Sequence, residues 1–421
     1  MKLKPYPAYK NSGVDWLGNL PKEWKVNPLK HHFKIVGGST PKSDQEEYWD
    51  GDITWVTPSD LSKLSSFSIN NSQRKITSAG LSSCGSTLVP AGSIVLSTRA
   101  PIGSIAFADE ELCTNQGCKS LVPDTETNSM FYTYLLSVNS VELNARGKGT
   151  TFLELSGDEL NAFKVGFPSL KEQSSIVSFL DRETLKLDTL IAKQQHLIEL
   201  LQEKRQAIIS HAVTKGLNPD AKMKDSGVEW LGMVPESWTV LQFRHMVSIQ
   251  NGSDYKHIES DDGPYPVIGS GGEFRRATDY IYDGISVLLG RKGTIDKPLY
   301  IEGKFWVVDT MFYTIIKDIV LPKYVFNCAK IIPFDLLSTS TALPSMTQND
   351  LKTLYFAMPN SLSEQESIIS YIDVQTTKID TLIDKAKRSI ELAKEHRTAL
   401  ISAAVTGKID VRNTSDNLEL A

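Results

Sequence analysis

Little in this sequence points to chemistry of its own. Only four of 421 residues are cysteine, and of Cys84, Cys113, Cys118 and Cys328 only Cys113 and Cys118 stand close together. So sparse a set excludes a disulfide framework, reads as reduced structural thiols and gives no reason to expect a metal. Long hydrophobic runs are missing too, and the N-terminal MKLKPYPAYKNSG has basic residues with no apolar stretch behind them. Neither a membrane span nor a secretory signal is expected, and the cytoplasm is the expected location. Positive charge is also short: 45 Lys and Arg face 50 Asp and Glu, for a net charge of −5. Free-standing nucleic-acid binders are usually basic, so either the chain binds none or a partner supplies much of the positive field. Catalytic motifs are scarce. RGKGT at Arg146–Thr150 has the wrong spacing for a phosphate-binding GxxxxGK[ST] loop. The Asn/Asp-Pro-Pro-aromatic quartet of adenine methyltransferases and a glycine loop for S-adenosylmethionine are absent. Asp296, Glu302 and Lys304 imitate a nuclease D…ExK pattern, but one that short arises freely by chance.

What the chain has is a duplication. SGVDWLGNLPKEW, from Ser12 to Trp24, returns as SGVEWLGMVPESW from Ser226 to Trp238, and EQSSIVSFLDRETLKLDTLIAK from Glu172 returns as EQESIISYIDVQTTKIDTLIDK from Glu364. Each half therefore carries a tryptophan motif, a variable stretch and a long helix. The 40% hydrophobic and 23% charged composition suits a globular protein of two or three domains.

Both helices keep a 4-3 apolar rhythm. It runs through Ile176, Leu180, Leu187, Leu190, Leu197, Leu201, Ile208 and Ala212, with Glu183, Gln194 and Arg205 counted in the seam. In the second copy it runs through Ile368, Ile372, Ile379, Leu382, Ala386, Leu400 and Ala404. Each opens near a Glu-Gln pair and closes near Gly216 or Gly407, where glycine takes a left-handed cap. At about 43 residues, each rod is on the order of 60 Å long. Such a stripe packs either on its own domain or on the other rod. An antiparallel pair with a domain at either end is the simplest closure, since single domains seldom offer so long a straight face. The variable stretches hold short strand-like runs broken by Gly and Pro, such as Ser93–Thr98 and Ile285–Gly290. VLSTRAPIG around Arg99 lines up with VLLGRKGTI around Arg291. Two frames with different inserts suggest a device that reads two things at a fixed separation.

The tryptophan motif, the stretch GGSTPKSDQEEYWDGDITWVTPSDL (Gly37–Leu61), the run GPYPVIGSGG followed by VLLGRKGTI and KFWVVDTMFY, and the paired EQxxI…DTLI helices together resemble the specificity subunit of type I restriction-modification systems over nearly the whole chain. The resemblance implies an α+β chain with two α/β target-recognition domains separated by two long antiparallel coiled-coil helices, an internal tandem repeat with pseudo-two-fold symmetry. The expected segments are 1–167 (tryptophan motif and first recognition domain), 168–216 (first helix), 217–358 (linker, repeated motif and second recognition domain), 359–407 (second helix) and 408–421 (tail). It further implies a non-catalytic subunit. Each domain would read half of a split, asymmetric site in double-stranded DNA, and the helices would hold two methyltransferase subunits and, through the complex, restriction and motor subunits. No cofactor is expected on this chain; S-adenosylmethionine, ATP and Mg belong to the partners. The alternatives are a single-chain site-specific nuclease or methyltransferase with an unrecognised active site, and a coiled-coil scaffold for two protein ligands.

Candidate DNA contacts follow from residue chemistry. Arg99 and Arg291, with Lys292, come directly after strand-like runs and suit a guanine edge or a phosphate; an arginine there is often only a surface ion pair. Tyr255 and Lys256, with Ser270 and Gly271 in a small-residue loop, allow backbone amides close to a phosphate, and equally read as tight turns. Thr57, Ser59, Asp60, Asn115 and Gln116 carry hydrogen-bonding groups suited to base edges, though they are ordinary loop residues too. Lys148 and Thr150, matched by the segment around Ser340, form a polar loop before each helix.

Overall fold

A computed structural model of the chain describes residues 4–99, 101–149, 153–337 and 344–412. Two compact units divide it, Met1–Lys193 with Ser389–Ala421, and Gln194–Arg388. Both long helices, Leu170–Lys215 and Leu362–Val405, are shared between the units rather than belonging to one each.

In the first unit the strands are β1 (Phe33–Gly37), β2 (Trp49–Val56), β3 (Ser68–Ile69), β4 (Lys75–Ile76), β5 (Ile94–Ser97), β6 (Ile105–Ala108), β7 (Cys113–Thr114) and β8 (Cys118–Pro123). Helix α1 (Pro58–Ser62) follows β2 and α2 (Ser129–Ser137) follows β8. The sheet order is β1-β8-β5-β6-β3, beside a smaller β7-β2-β4. Central β5, IVLS, is buried at every residue, which is why it reads as an unbroken apolar run rather than an alternation. Cys113 and Cys118 lie in this interior, where burial pushes their thiols up to about 11 and about 12.

The second unit has β9 (Val247–Asn251), β10 (Tyr265–Gly269), β11 (Gly272–Ala277), β12 (Tyr282–Gly290), β13 (Leu299–Val307) and β14 (Met311–Ile316), then helix α3 (Pro322–Ala329). Its order is β9-β14-β12-β13-β10-β11. β9, β14 and β12 repeat the antiparallel arrangement of β1, β8 and β5. One strand, β13, does the work of β6 and β7. Its start pairs with β12 as β6 pairs with β5, and its last two residues pair in parallel with β10 as β7 pairs with β2. β10 therefore stands where β2 stands.

The tryptophan motif ties each domain to a helix start. Trp24 is fully buried, and its Nε1 donates to Glu172 Oε1 at 3.1 Å; Trp238 Nε1 donates to Glu364 Oε1 at 2.9 Å. The next residue is a buried glutamine in both. Gln173 accepts from the Asn128 amide and donates to the carbonyls of Pro168 and Glu126. Gln365 likewise serves Leu321, Pro359 and Ile319. These bonds satisfy backbone groups that burial would otherwise strand. The glycine after each helix, Gly216 or Gly407, has positive φ, and a side chain there would strike Trp238 or Pro21 of the same unit.

Within each unit the two helix segments run antiparallel. In the first, Ile401, Ala404 and Val405 share a core with Ile176, Phe179 and Leu180, while Arg397 Nε lies 3.0 Å from Asp188 Oδ1. In the second, Ile209, Ala212 and Val213 share a core with Ile368, Ile369 and Ile372, while Arg205 Nε donates to Asp380 Oδ1 at 2.9 Å. The same Asp and Arg stations of the repeat thus meet twice with the helices exchanged. The buried seam differs from the expected one. Thr184, Ile198, Leu201, Ile209 and Ala212 are buried and Leu190 and Leu197 exposed; in the second helix Ile383 is buried and Leu382 exposed. An extra i+4 step, Ile176–Leu180–Thr184, comes early and rotates the stripe, so the following 4-3 rhythm takes Ile191 and Ile198 inward.

Candidate nucleic-acid interface

In each unit one set of backbone hydrogen bonds gathers loops at the ends of several strands. In the first, the Ser39 amide donates to Thr114 O (3.0 Å), Asn115 to Val56 O (2.9 Å), Thr98 to Gly117 O (2.8 Å) and Leu155 to Thr98 O (2.8 Å). In the second, Ser253 donates to Val307 O (2.8 Å), Val308 to Ile268 O (3.2 Å), Arg291 to Thr310 O (2.8 Å) and Met346 to Arg291 O (3.0 Å). The four bonds correspond one for one. They correct the sequence alignment by a residue, because the station of Arg291 belongs to Thr98 and Arg99 corresponds to Lys292. The bridges Arg99–Glu154 and Lys292–Ser345 agree.

This network brings together most of the expected contact residues. In the first unit Thr57 adjoins Val56, Asn115 Oδ1 accepts from the Gly117 amide at 2.9 Å, and Gln116 Oε1 accepts from the Thr40 hydroxyl. Several of these groups are already engaged. Thr57 and Asp60 close a capping box at the start of α1, with Thr57 Oγ1 2.6 Å from Asp60 Oδ2, and Asp60 Oδ1 also accepts from the Gln73 amide. Ser59, on the exposed face of α1, has no such commitment among the described residues. Arg99 is exposed and paired with Glu154 at 3.2 Å. Lys148 Nζ lies 2.6 Å from Glu159, whose carboxyl this bond holds below the ordinary carboxylate range. Of the expected contacts, the two cations of the first unit therefore face solvent with a carboxylate attached.

The second unit is arranged differently. Arg291 Nη1 donates to Asp309 O at 3.3 Å, and among the described residues neither Arg291, Lys292 nor Lys256 has a carboxylate partner. Ser270 and Gly271 form the two-residue turn between β10 and β11, opposite the register pair Gly269–Gly272. Gly272, which opens β11 directly after the turn, takes a positive φ that favours glycine. Tyr255 sets its ring edge-on to Phe274, 5.4 Å between centroids. Thr150 and Ser340 lie outside the described residues. Phe274, Arg275 and Arg276, on the far arm of the turn, were not among the expected contacts. The signal available was GGEFRR, a lone aromatic between a glycine pair and two arginines.

The arrangement holds side chains at the rim of a sheet. Among the described residues no three His, Cys, Asp or Glu side chains are grouped to hold a metal ion, and no helix is long and apolar enough to cross a membrane. The family described as the type I restriction modification DNA specificity domain matches residues 21–200 and 235–392. The type I restriction enzyme MjaIX specificity subunit of Methanocaldococcus jannaschii is 35% identical over 189 residues, covering 44% of this chain and 43% of that protein. The chain thus spans less than half the length of that relative. The MjaVIII specificity subunit of the same organism is 22% identical over 431 residues, 94% of this chain and 95% of that one. Two solved structures share the fold at 14% identity. One, described as the structural basis of complex assembly and conformational transition of the type I R-M system, has a TM-score of 0.73 over 93% of this chain and 99% of its own. The other, the HsdS subunit from Thermoanaerobacter tengcongensis, has a TM-score of 0.54 over 93% and 98%.

Proposed function

The chain belongs to the type I restriction modification DNA specificity family, and on that premise we propose that each unit reads one half of a bipartite, asymmetric site in double-stranded DNA. The observation that carries this reading is the strand-end network built twice with the same four backbone hydrogen bonds and different side chains displayed on each. A rigid rim with interchangeable display is what sequence readout needs, because phosphate contacts set position while base-edge contacts specify. The net charge of −5 adds a condition. Alone the chain binds DNA weakly, and a basic partner completes the channel.

The chain itself is non-catalytic in this reading and works in the cytoplasm. Two methyltransferase subunits dock on the long helices, restriction and motor subunits join through the complex, and S-adenosylmethionine, ATP and Mg are held by these partners. Support for two equivalent docking places comes from leucines the seam leaves outside. Leu190 and Leu200 are 39% and 48% exposed, and their repeat counterparts Leu382 and Leu392 are 49% and 55% exposed. Exposed apolar side chains at matching stations suit two copies of one partner.

The test is co-expression of the full chain with its methyltransferase partner in a host free of adenine methylation, followed by methylome sequencing. The expected motif is bipartite, and Arg291→Ala is expected to degrade one half only. Methylation or cleavage by the purified chain alone would support the single-chain enzyme instead. Normal complex formation without DNA binding would support the scaffold.

A further inference from the structure

Among the described residues, Phe274 is the one phenylalanine or tryptophan that is exposed, at 46%. It sits on β11, the edge strand of its sheet, where a bare aromatic invites wrong pairing unless it serves a purpose. Its orientation is built in. The β10–β11 register passes from Val267–Arg275 to Ile268–Glu273, so Phe274 is the extra residue of a β-bulge, a device that re-aims a side chain out of the ladder. Gly269 makes room for it, since a Cβ there would lie 3.2 Å from Phe274 Cε1, and Tyr255 holds the ring from the side. The ring is thus fixed before any ligand arrives, so little ordering entropy is lost on contact.

Three cations, Arg275, Arg276 and Lys256, lie near it, the two arginines in ion pairs. Arg275 is held by Glu259 at 2.9 Å; Arg276 is held by Glu273 at 2.9 Å and donates to the Gly263 and Pro264 carbonyls. Lys256 adjoins Tyr255 and is exposed. Through Gly269 and Val308 the hairpin connects to Asp309 and so to Arg291. We propose that the β10–β11 hairpin enters the DNA major groove in the second unit and that Phe274 is a specificity-determining residue, its ring lying against the 5-methyl group of a thymine. A two-stranded ribbon fits the major groove, and a phenylalanine ring is a recognised apolar partner of that methyl. The proposal rests on the DNA-reading function above and assigns one residue of it.

The test uses the full chain in complex with its methyltransferase partner. The probe is a duplex carrying the methylated motif found by sequencing, with the thymines of one half-site replaced singly by deoxyuridine, which lacks only the methyl. Phe274→Ala is expected to weaken binding about ten-fold. One thymine-to-uracil change is expected to weaken wild-type binding several-fold while leaving Phe274→Ala unaffected, and Phe274→Leu, which keeps an apolar tip, is expected to fall between. A bipartite motif that Phe274→Ala recognises as tightly as wild type overturns the proposal and leaves the DNA-reading function standing. So does a uracil penalty of equal size in both proteins, a half-site without thymine, or loss of methyltransferase binding instead of DNA binding. A wild-type complex with no bipartite motif overturns both readings.

Discussion

Trp24 and Trp238 donate to Glu172 and Glu364 from the same ring nitrogen, and Gln173 and Gln365 each bind three backbone groups, so in these frame bonds the two units match. At the end of the strand facing solvent they part. After β2 the chain enters a capped helix, Thr57 and Asp60 closing it; after β10 it makes a glycine turn into a hairpin that displays Phe274. The frame bonds end on backbone atoms or on side chains inside the frame, so their geometry is indifferent to what is displayed. At the rim the supporting bonds are also backbone to backbone, which leaves the side chains there free to differ.

The largest test of that comparison is removal of a frame tryptophan. Trp24→Ala and Trp238→Ala each empty a buried indole site and take the indole donor from a helix-start glutamate, Glu172 keeping the Tyr6 hydroxyl. The expected cost is about 3–5 kcal/mol. Calorimetry should show each substitution lowering the transition of its own unit. An equal fall in both transitions for either variant would mean the units do not stand as separately built copies.

One frame bond breaks the match. Tyr6 donates its hydroxyl to Glu172 Oε1 at 2.8 Å, and the second unit shows no tyrosine bonded to Glu364 among the described residues. Burial first, then the carboxylate of Glu172, push the Tyr6 phenol far above its usual value of 10.0. A raised folded value contributes stability that is complete below the unfolded value and is lost as pH climbs beyond it. The first unit should therefore weaken above roughly pH 10, where the unfolded phenol ionises. Tyr6→Phe should cost about 1–3 kcal/mol at neutral pH and make that alkaline decline shallower in the first unit, where burial also raises Tyr132, Tyr134, Cys113 and Cys118. An unchanged slope would remove Tyr6 as a source.

A smaller effect belongs to the helix ion pairs. Asp188–Arg397 and Arg205–Asp380 are the same two stations meeting in each unit, with side chains 26–52% exposed. Coupling energies from double-mutant cycles should stay under about 1 kcal/mol for exposed pairs of this kind, and should agree between the units. A clear difference would show that the neighbouring domains, not the helices, set the strength.

The duplication, both long helices and the central strands could be read from sequence, because each is a pattern of residue type or period. Three details could not. Leu190 and Ile191 are adjacent and both apolar, so only the early i+4 step through Thr184 decides that Ile191 turns inward. Arg99 and Arg291 attract alignment because both are arginines, whereas the amide bonds to Gly117 and Thr310 register Thr98 with Arg291. Phe274 owes its exposure to a bulge, and a bulge is a property of strand pairing that one strand's sequence does not carry.

The smallest expected effect lies where the units differ by one side chain at one station. α2 ends at Val138 and α3 at Lys330. Lys330 stands over the Phe326 ring at 3.9 Å, and Gln206 of the long helix donates to its carbonyl at 2.9 Å. Burial, then the neighbouring Arg205, push its ammonium down to about 8, against partial support from Asp373 and Asp380. For a lysine, a folded value below the unfolded one means that folding penalises the charged form. The penalty is complete below about pH 8 and is relieved as pH rises toward the unfolded value of about 10.4. Lys330→Val, which gives the second unit the residue of the first, should therefore raise its melting temperature at pH 7. That advantage should shrink between pH 8 and 10, as the wild type sheds its penalty. A gain that persists unchanged at pH 10 would assign the effect to packing, and a loss at pH 7 would mean that the contact with Phe326 outweighs the cost of desolvating the charge.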